Sequence, residues 1–330
     1  MHVLAGDIGG TKVLLQLAHV GAGSCRVVEE QRYESSAFSS LSSIVQKFLK
    51  LLHHDSAIDA ACFGIAGPVT EAGPYQIAKV TNLPWEIDSV ALAREFNLPK
   101  VRLINDFQAV GHGIEALATQ DRVLLQEGRA QARAPRAVIG AGTGLGQGML
   151  VWQHGHYESV ATEGGHTDFA PTDGLQIGLW HYLRQHFDHI SYERIVSGPG
   201  LALIYSYLCE RDAVKASAHV DLLRAVDPAA AISELALSGT DMFATQALDL
   251  FVRVYGAQAG NLALSAGASG GVYIAGGIAP KIIHKLTDGT FMRAFLNKGR
   301  MAPLLAAVPV QVVMNPNVGL MGAAIVASRL

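Results

Sequence analysis

Three short glycine-bearing segments carry residue types suited to holding an anion. They are Asp7-Ile8-Gly9-Gly10-Thr11-Lys12, Gly142-Thr143-Gly144-Leu145-Gly146 and Ala275-Gly276-Gly277-Ile278. Glycine lets backbone amides come close to an anion, and successive amides in a turn form a concave anion site. Thr11 adds a hydroxyl donor, Lys12 a positive charge, and Asp7 a carboxylate that can hold Mg²⁺ directly or through water. The second segment is not a dinucleotide fingerprint, because the stretch after it reads as strand, and not a Walker loop, because no Gly-Lys-Ser/Thr occurs there. For each turn taken singly, a hairpin or strand end that needs glycine is the plain alternative. Two Gly/Thr turns in equivalent places are more specific. Together they would grip a triphosphate from both sides, and Gly276-Gly277 offers a flat backbone surface for an adenosine.

Other polar residues suit a hydroxyl-bearing ligand. Asn105-Asp106 follows the apolar run Val101–Ile104. A carboxylate there is placed to accept a proton from a substrate hydroxyl, or to cap the helix that follows. Glu163-Gly164-Gly165-His166 and, further on, Glu193 supply the carboxylate acceptors and imidazole donor that hydroxyl-rich ligands need. Zinc on His166 is a poor fit, with no cysteine nearby and no His-x3–5-His pair that includes it.

Strand ends and tight turns must hold these groups. Val3–Ile8 and Val13–Ala18 read as a hairpin around Gly9-Gly10-Thr11, with a third strand at Arg26–Tyr33. Helical spacing of Leu41, Ile44, Val45, Phe48, Leu49 and Leu52 predicts an amphipathic helix. Strands follow at Ala57–Ile65 and Val101–Ile104, with helices near Asp88–Phe96 and at Phe107–Leu117, the latter capped by Asp106. Val138–Thr143, a glycine turn and Met149–Trp152 repeat the opening strand–turn–strand design, which suggests two similar halves. Thr172–Leu264 reads as mainly helical, Gly271–Ala275 and Val310–Val313 as strands, and Gly319–Ser328 as a closing helix. The class is α/β with mixed sheets.

Composition narrows the function classes. The chain has 330 residues, 50% hydrophobic and 16% charged, with a net charge of −3, which suits about two globular domains. Without a Lys/Arg run, a nucleic-acid or anionic-membrane partner is not expected, and Arg129, Arg133 and Arg136 read as a solvated loop. Three scattered cysteines, Cys25, Cys62 and Cys209, argue against a disulfide scaffold and fit a reducing compartment. The apolar N-terminal run meets Asp7 too soon for a signal peptide. The uncharged Val254–Pro280 stretch is broken by glycines and polar residues, so it reads as buried helix, strand and loop, and the cytoplasm is the expected location.

Taken together, the motifs resemble the bacterial glucokinase family of the hexokinase–actin superfamily. The resemblance rests on Gly6–Thr11, Leu103-Ile104-Asn105-Asp106-Phe107, Gly140–Gly146, Glu163–Pro171, Glu193–Gly200 and Gly276-Gly277-Ile278, which run in family order over nearly the whole chain. It implies an actin-like ATPase (ribonuclease H-like) fold with a cleft between two domains, here 1–110 with 311–330, and 111–310. It implies a sugar held by Asn82, Asn105, Asp106, Glu163, His166 and Glu193, with Asp106 as general base. ATP would lie on Asp7, Gly9, Gly10, Thr11, Lys12, Gly142, Thr143, Gly144, Gly276 and Gly277, with Mg²⁺ near Asp7. Lys12 stands where the family varies. The related ROK branch carries a cysteine-rich zinc motif that this chain lacks, which favours a non-zinc glucokinase. The expected activity is transfer of the γ-phosphoryl group of ATP to the 6-hydroxyl of glucose, and the resemblance leaves room for a homodimer. Two rivals are a kinase for another hexose or N-acetylhexosamine, and a non-catalytic sugar or nucleotide sensor on the same scaffold.

Overall fold

A strand buried on both faces marks the middle of a covered sheet, and Ala60–Ile65 is such a strand, with all six residues buried. The computed structural model describes residues 1–21, 24–52, 57–73, 75–212 and 222–330. Its strands are β1 (His2–Ile8), β2 (Lys12–Gly21), β3 (Ser24–Glu34), β4 (Ala60–Ile65), β5 (Val69–Ala72), β6 (Tyr75–Lys79), β7 (Glu86–Asp88), β8 (Val101–Asn105), β9 (Arg122–Gln126), β10 (Arg136–Ala141), β11 (Leu145–Gln153), β12 (His156–Thr162), β13 (Val272–Ala275) and β14 (Val310–Val313). They form sheets ordered β3-β2-β1-β4-β8, β12-β11-β10-β13-β14-β9 and β5-β6-β7.

The two large sheets carry the sequence repeat. In the first, β1 pairs antiparallel with β2 and parallel with β4. In the second, β10 pairs antiparallel with β11 and parallel with β13. Each glycine/threonine turn thus joins the central strand of a mixed sheet to its antiparallel neighbour. The small sheet β5–β7 and the edge strand β9 are additions that the hydrophobic pattern does not announce.

Two compact units result: Met1–Ala118 with Tyr157–Ala161 and Asn315–Leu330, and Thr119–His156 with Thr162–Met314. The divisions fall at Ala118 and Asn315, where the sequence suggested 110 and 311. The helix Asp106–Gly113 and the turn Ile114–Ala116 belong wholly to the first unit.

In the first unit, the two-residue period of β1 sends Leu4 and Ile8 to one core and Val3 and Ala5 to the other. The helix Leu41–Leu51 covers the first face through Ile44, Val45 and Phe48, and Ser40 caps it. The helices Asp106–Gly113 and Val318–Ser328 cover the second face with small residues, among them Ala109, Ala323 and Ala324. The same period places Asp7 on that second face.

In the second unit, the 25-residue helix Met242–Ala266 is the spine of the core. Its buried Tyr255 hydroxyl accepts from the Ala141 amide at 3.2 Å and faces the Ile139 carbonyl at 3.3 Å, bracing the end of β10. Of the three arginines expected in a solvated loop, Arg129 and Arg133 are exposed in one, Arg133 lying over the Trp152 ring 5.3 Å from its centroid, whereas Arg136 opens β10 and lies 6.0 Å from the Tyr273 centroid. The uncharged 254–280 stretch is the end of this helix, then β13, then the Gly276-Gly277 turn. Among the described residues, no helix is long and apolar enough to cross a membrane.

The tightest packing in the first unit lies between the two small-residue helices. A Cβ on Gly322 would run into the Ala109 carbonyl and stand 2.6 Å from the Gly113 nitrogen, so only glycine fits. An exposed helical Gly→Ala change stabilises by up to about 1 kcal/mol. Here overpacking should reverse the sign. Gly322→Ala should cost about 1–3 kcal/mol in urea unfolding, the usual range for core overpacking. A gain in stability would show that the two helices are not held this close.

Candidate active site

Register brings the first unit's polar groups together. Ile8 is paired with Ile65, and Ile65 with Asn105, so the carboxyl ends of β1, β4 and β8 form one row. The Gly9–Thr11 turn, Ala66-Gly67 and Asn105-Asp106 emerge from that row. Ser35, fully buried, steadies the turn: its hydroxyl donates to the Gly9 carbonyl (2.9 Å) and its amide to the Thr11 carbonyl (2.9 Å). The Gly9 amide donates to the Lys12 carbonyl (2.9 Å), closing the hairpin, and Lys12 opens β2 with its side chain exposed. Asn82, exposed and in a left-handed turn at φ 65°, neighbours Gly10: a Cβ there would stand 2.8 Å from the Thr81 carbonyl oxygen and 3.7 Å from Asn82 Cβ. The Thr81 amide donates to the Ala66 carbonyl (2.8 Å), and Asn105 Nδ2 to the Gly67 carbonyl (3.3 Å). The structure thus collects Gly9, Gly10, Thr11, Asn82, Asn105 and Asp106 at one end of one sheet.

The helix cap differs from the expectation. Asn105, not Asp106, caps the helix Asp106–Gly113. Its side chain accepts from the Phe107 amide at 2.9 Å, while Gln108 reaches back to the Asn105 amide at 3.0 Å. This is a capping box, and its signal, a capping residue with Gln three positions on, stands in the sequence. Asp106 is the first residue inside the helix. Its Oδ1 accepts from the Phe107 amide at 2.8 Å.

Two carboxyls now stand close in a poorly solvated place. Burial pushes the Asp106 carboxyl up to about 6, and the Asp7 charge adds to the rise. Burial raises Asp7 too, partly offset by the Lys12 ammonium. Asp7 is a residue of β1 rather than of the turn, and a Cβ on Gly319, in the first turn of the helix Val318–Ser328, would lie 3.8 Å from its carboxyl. Desolvation and a like charge both favour the neutral form. A carboxyl poised near 6 can accept a proton from a hydroxyl at neutral pH.

The second unit builds its own cluster. The Gly142 amide donates to the Gly144 carbonyl (2.8 Å), and the Gly198 amide to the Gly142 carbonyl (2.8 Å), which ties the Gly142–Gly144 turn to the start of the helix Gly198–Arg211. Thr143 is exposed at its tip. The Ile278 amide donates to the Ala141 carbonyl (3.2 Å), so the Gly276-Gly277 turn lies beside it at the ends of β10 and β13. Gly276 has φ 83°, and a Cβ there would meet the Ala141 carbonyl oxygen at 2.5 Å. Gly142 and Gly277 have no positive φ and no atom within 4 Å of where a Cβ would stand.

Glu193 joins this turn to the remaining polar residues. Its Oε2 accepts from the Leu145 amide at 2.8 Å, and a Cβ on Gly144 would stand 2.5 Å from that oxygen. Its Oε1 lies 3.8 Å from His166 Nδ1, and His166 Nε2 lies 4.0 Å from Glu163 Oε2. His166 is therefore flanked by two carboxylates. Glu163 is 86% exposed and its side chain makes no cap hydrogen bond to the Gly164–His166 turn, so its oxygens are open to a ligand. Gln147, buried beneath Gly164, is a neighbour that the sequence did not mark. Tyr255 and Ser35 are likewise supports that only the fold reveals. Among the described residues, no group of three or more His, Cys, Asp or Glu is placed to hold a metal ion.

Known proteins share this design. The crystal structure of a glucokinase from an Antarctic psychrotroph superposes with a TM-score of 0.86 at 30% identity, covering 100% of this chain and 99% of that one. A ROK family glucokinase from Streptomyces griseus has a TM-score of 0.64 at 21% identity over the full length of both chains, a likeness of fold. The class is thus the actin-like α/β fold of the sugar kinases. The Glucokinase family model matches residues 4–330, and the chain belongs to that family. It is 46% identical to a glucokinase of Nostoc sp. over 99% of both chains, and 43% identical to one of Synechocystis sp. over 100% of this chain and 98% of that one.

The Asp106 environment has a cost that can be measured. A folded-state carboxyl raised toward 6 withdraws stability as pH climbs from its ordinary 3.8 through 6. Asp106→Asn should therefore stabilise the protein at pH 7.5 by on the order of 1–3 kcal/mol, with the gain fading to nothing near pH 4. Urea unfolding of both proteins across that range reads it directly. A variant less stable at pH 7.5 would make Asp106 a structural residue.

Proposed function

We propose that this chain transfers the γ-phosphoryl group of ATP to the 6-hydroxyl of glucose, with Asp106 accepting the hydroxyl proton. The observation that carries the reading is the Asp106 carboxyl, raised to about 6 beside Asp7 at the carboxyl end of the first unit's parallel strands. Membership of the glucokinase family supports it.

The glycine turns suit the phosphates and the adenosine. Neither backbone angle nor packing calls for glycine at Gly142 or Gly277, and the open space there suits the close approach of a ligand to the backbone. Gly9, Gly10, Thr11 and Lys12 likewise offer amides, a hydroxyl and a charge suited to phosphate oxygens. Phosphoryl transfer needs little covalent chemistry from the protein, and its rate comes from positioning and from stabilising charge on the transferring oxygens. Asp7, with its charge relieved only in part by Lys12, fits a divalent cation held by one or two carboxylates and by substrate phosphates. Mg²⁺ supplies neutralisation of the phosphate oxygens when bound. Use of ATP is in keeping with a cytoplasmic location.

Glu163, His166 and Glu193, with Asn82 and Asn105, are the sugar contacts in this reading. Two carboxylates on either side of an imidazole offer acceptors to neighbouring hydroxyls, and charge-assisted bonds of this kind are roughly twice as strong as neutral ones. Because Glu193 also holds the Leu145 amide, the sugar residues and the second glycine turn share one carboxylate.

An ADP-release assay over glucose, mannose, N-acetylglucosamine and N-acetylmannosamine tests the activity. Glucose should give the highest kcat/KM, and Asp106→Asn should lower kcat by about 10²-fold or more, the reach of a positioned base. Preference for another sugar would change the substrate, and no ADP with any sugar would indicate a sensor. Glu163→Gln should raise KM for glucose and reorder the sugars while Tm stays put. A lower Tm with the ranking intact would take Glu163 out of the sugar site.

A further inference from the structure

The second unit holds another cavity, of about 300 Å³, and none of its lining residues belongs to the glycine turns or to the Glu163–His166–Glu193 cluster. Its walls come from the long helix Met242–Ala266, the helix Thr290–Leu296 with the loop after it, and the segment that opens the helix Gly174–Arg184. Three cations line it, Arg253, Arg293 and Lys298, against one acid, Asp173. Asp173 is already committed: Oδ2 pairs with Arg253 Nη1 at 2.8 Å, and Oδ1 accepts from the Gln176 amide at 2.9 Å as the helix cap. Among the described residues, Arg293 donates to one side chain, the neutral Thr290 hydroxyl, at 3.0 Å. Lys298 is half-buried, its stem lies against Gly260, and among the described residues no hydrogen bond or ion pair engages its ammonium. Burial with no acid to answer it pulls that ammonium's pKa down.

Lys298 is a half-buried charge with no acid beside it, where a shielded charge is normally paired, and the Arg293 guanidinium on the same wall is exposed to an arriving anion. A volume of this order is at the small end of ligand sites. The planar fork of an arginine matches phosphate oxygens, and a lysine serves them as a point charge. The buried Thr290 hydroxyl and the Asn297 amide add neutral hydrogen-bonding groups at the same wall. We propose that this cavity is a binding site for a small dianionic phosphoryl group, inorganic phosphate or a phosphate monoester, held by Arg293 and Lys298 with Thr290 and Asn297. It is separate from the residues assigned to the phosphates of ATP, and it would let a phosphorylated metabolite bind while ATP is bound.

Calorimetric titration of the full chain with inorganic phosphate, and separately with a hexose phosphate, tests this at constant ionic strength. The comparison is between wild type, Arg293→Gln/Lys298→Met and Lys298→Arg, with Tm recorded for each as a check on folding. One saturable site should be weakened about tenfold or more in the double variant, as loss of two charge-assisted contacts implies. Lys298→Arg should keep most of the affinity, and KM for ATP and glucose should be unchanged in all three. Tighter binding of the hexose phosphate, lost in the double variant, would name the ester as the ligand, and equal affinities would name the free anion. Binding that persists unchanged in the double variant, or no saturable binding at millimolar phosphate in wild type, would overturn the proposal.

Discussion

Two carboxylates at one end of a sheet set the terms for the first unit. Asp7 lies in β1 and Asp106 opens the helix after β8; parallel register brings them together, with Ile8, Ile65 and Asn105 in one row. Each is poorly solvated, and the Asp7 charge further disfavours ionisation of Asp106. Such a pair is unfavourable for stability and useful for chemistry, because a carboxyl titrating near neutrality is a better proton acceptor than one fully ionised at every physiological pH. The surrounding structure can be read as what makes the pair tolerable. The small-residue faces of two helices, locked by Gly322 against the Ala109 carbonyl, hold Asp106 from behind, and Ser35 holds the hairpin turn in front of Asp7.

The second unit solves a different problem with the same strand–turn–strand device. Its turn must be open enough for backbone amides to reach a ligand, yet fixed. Openness comes from Gly142 and Gly277, which meet nothing where a side chain would stand. Fixity comes from Tyr255 below, from the helix Gly198–Arg211 beside it, and from Glu193, whose carboxylate fills the place a side chain at Gly144 would need. Through that last contact, a side chain at 144 would displace the Glu193 carboxylate from the Leu145 amide.

Much of this was legible in the sequence, for physical reasons. Glycine and threonine at strand turns, and a carboxylate after an apolar run, are local signals, and the central hairpin of each large sheet follows from the repeated pattern. The amphipathic helix fell within a residue or two of Leu41–Leu51, and Ser40 was the cap such a helix needs. The cap at Asn105 was misassigned to Asp106 because both types cap well, and the deciding signal was Gln108 three residues on. The sheet β5–β7 was missed because its strands are short and mostly exposed, leaving little hydrophobic period to read. Ser35 and Tyr255 lie far along the chain from the groups they brace, and no local pattern announces a tertiary hydrogen bond. The same holds for the Glu193 contact to Leu145, 48 residues away.

The central claim is that Asp106 is a carboxyl held near neutrality by burial and by Asp7. Carbon-13 NMR of protein labelled at the aspartate side-chain carboxyl, titrated from pH 3 to 8, reads this without any turnover. One resonance, absent in Asp106→Asn, should titrate with a midpoint of about 6 and move toward the ordinary carboxylate range in Asp7→Asn. An Asp106 resonance that titrates near 4 and ignores Asp7 would contradict the account.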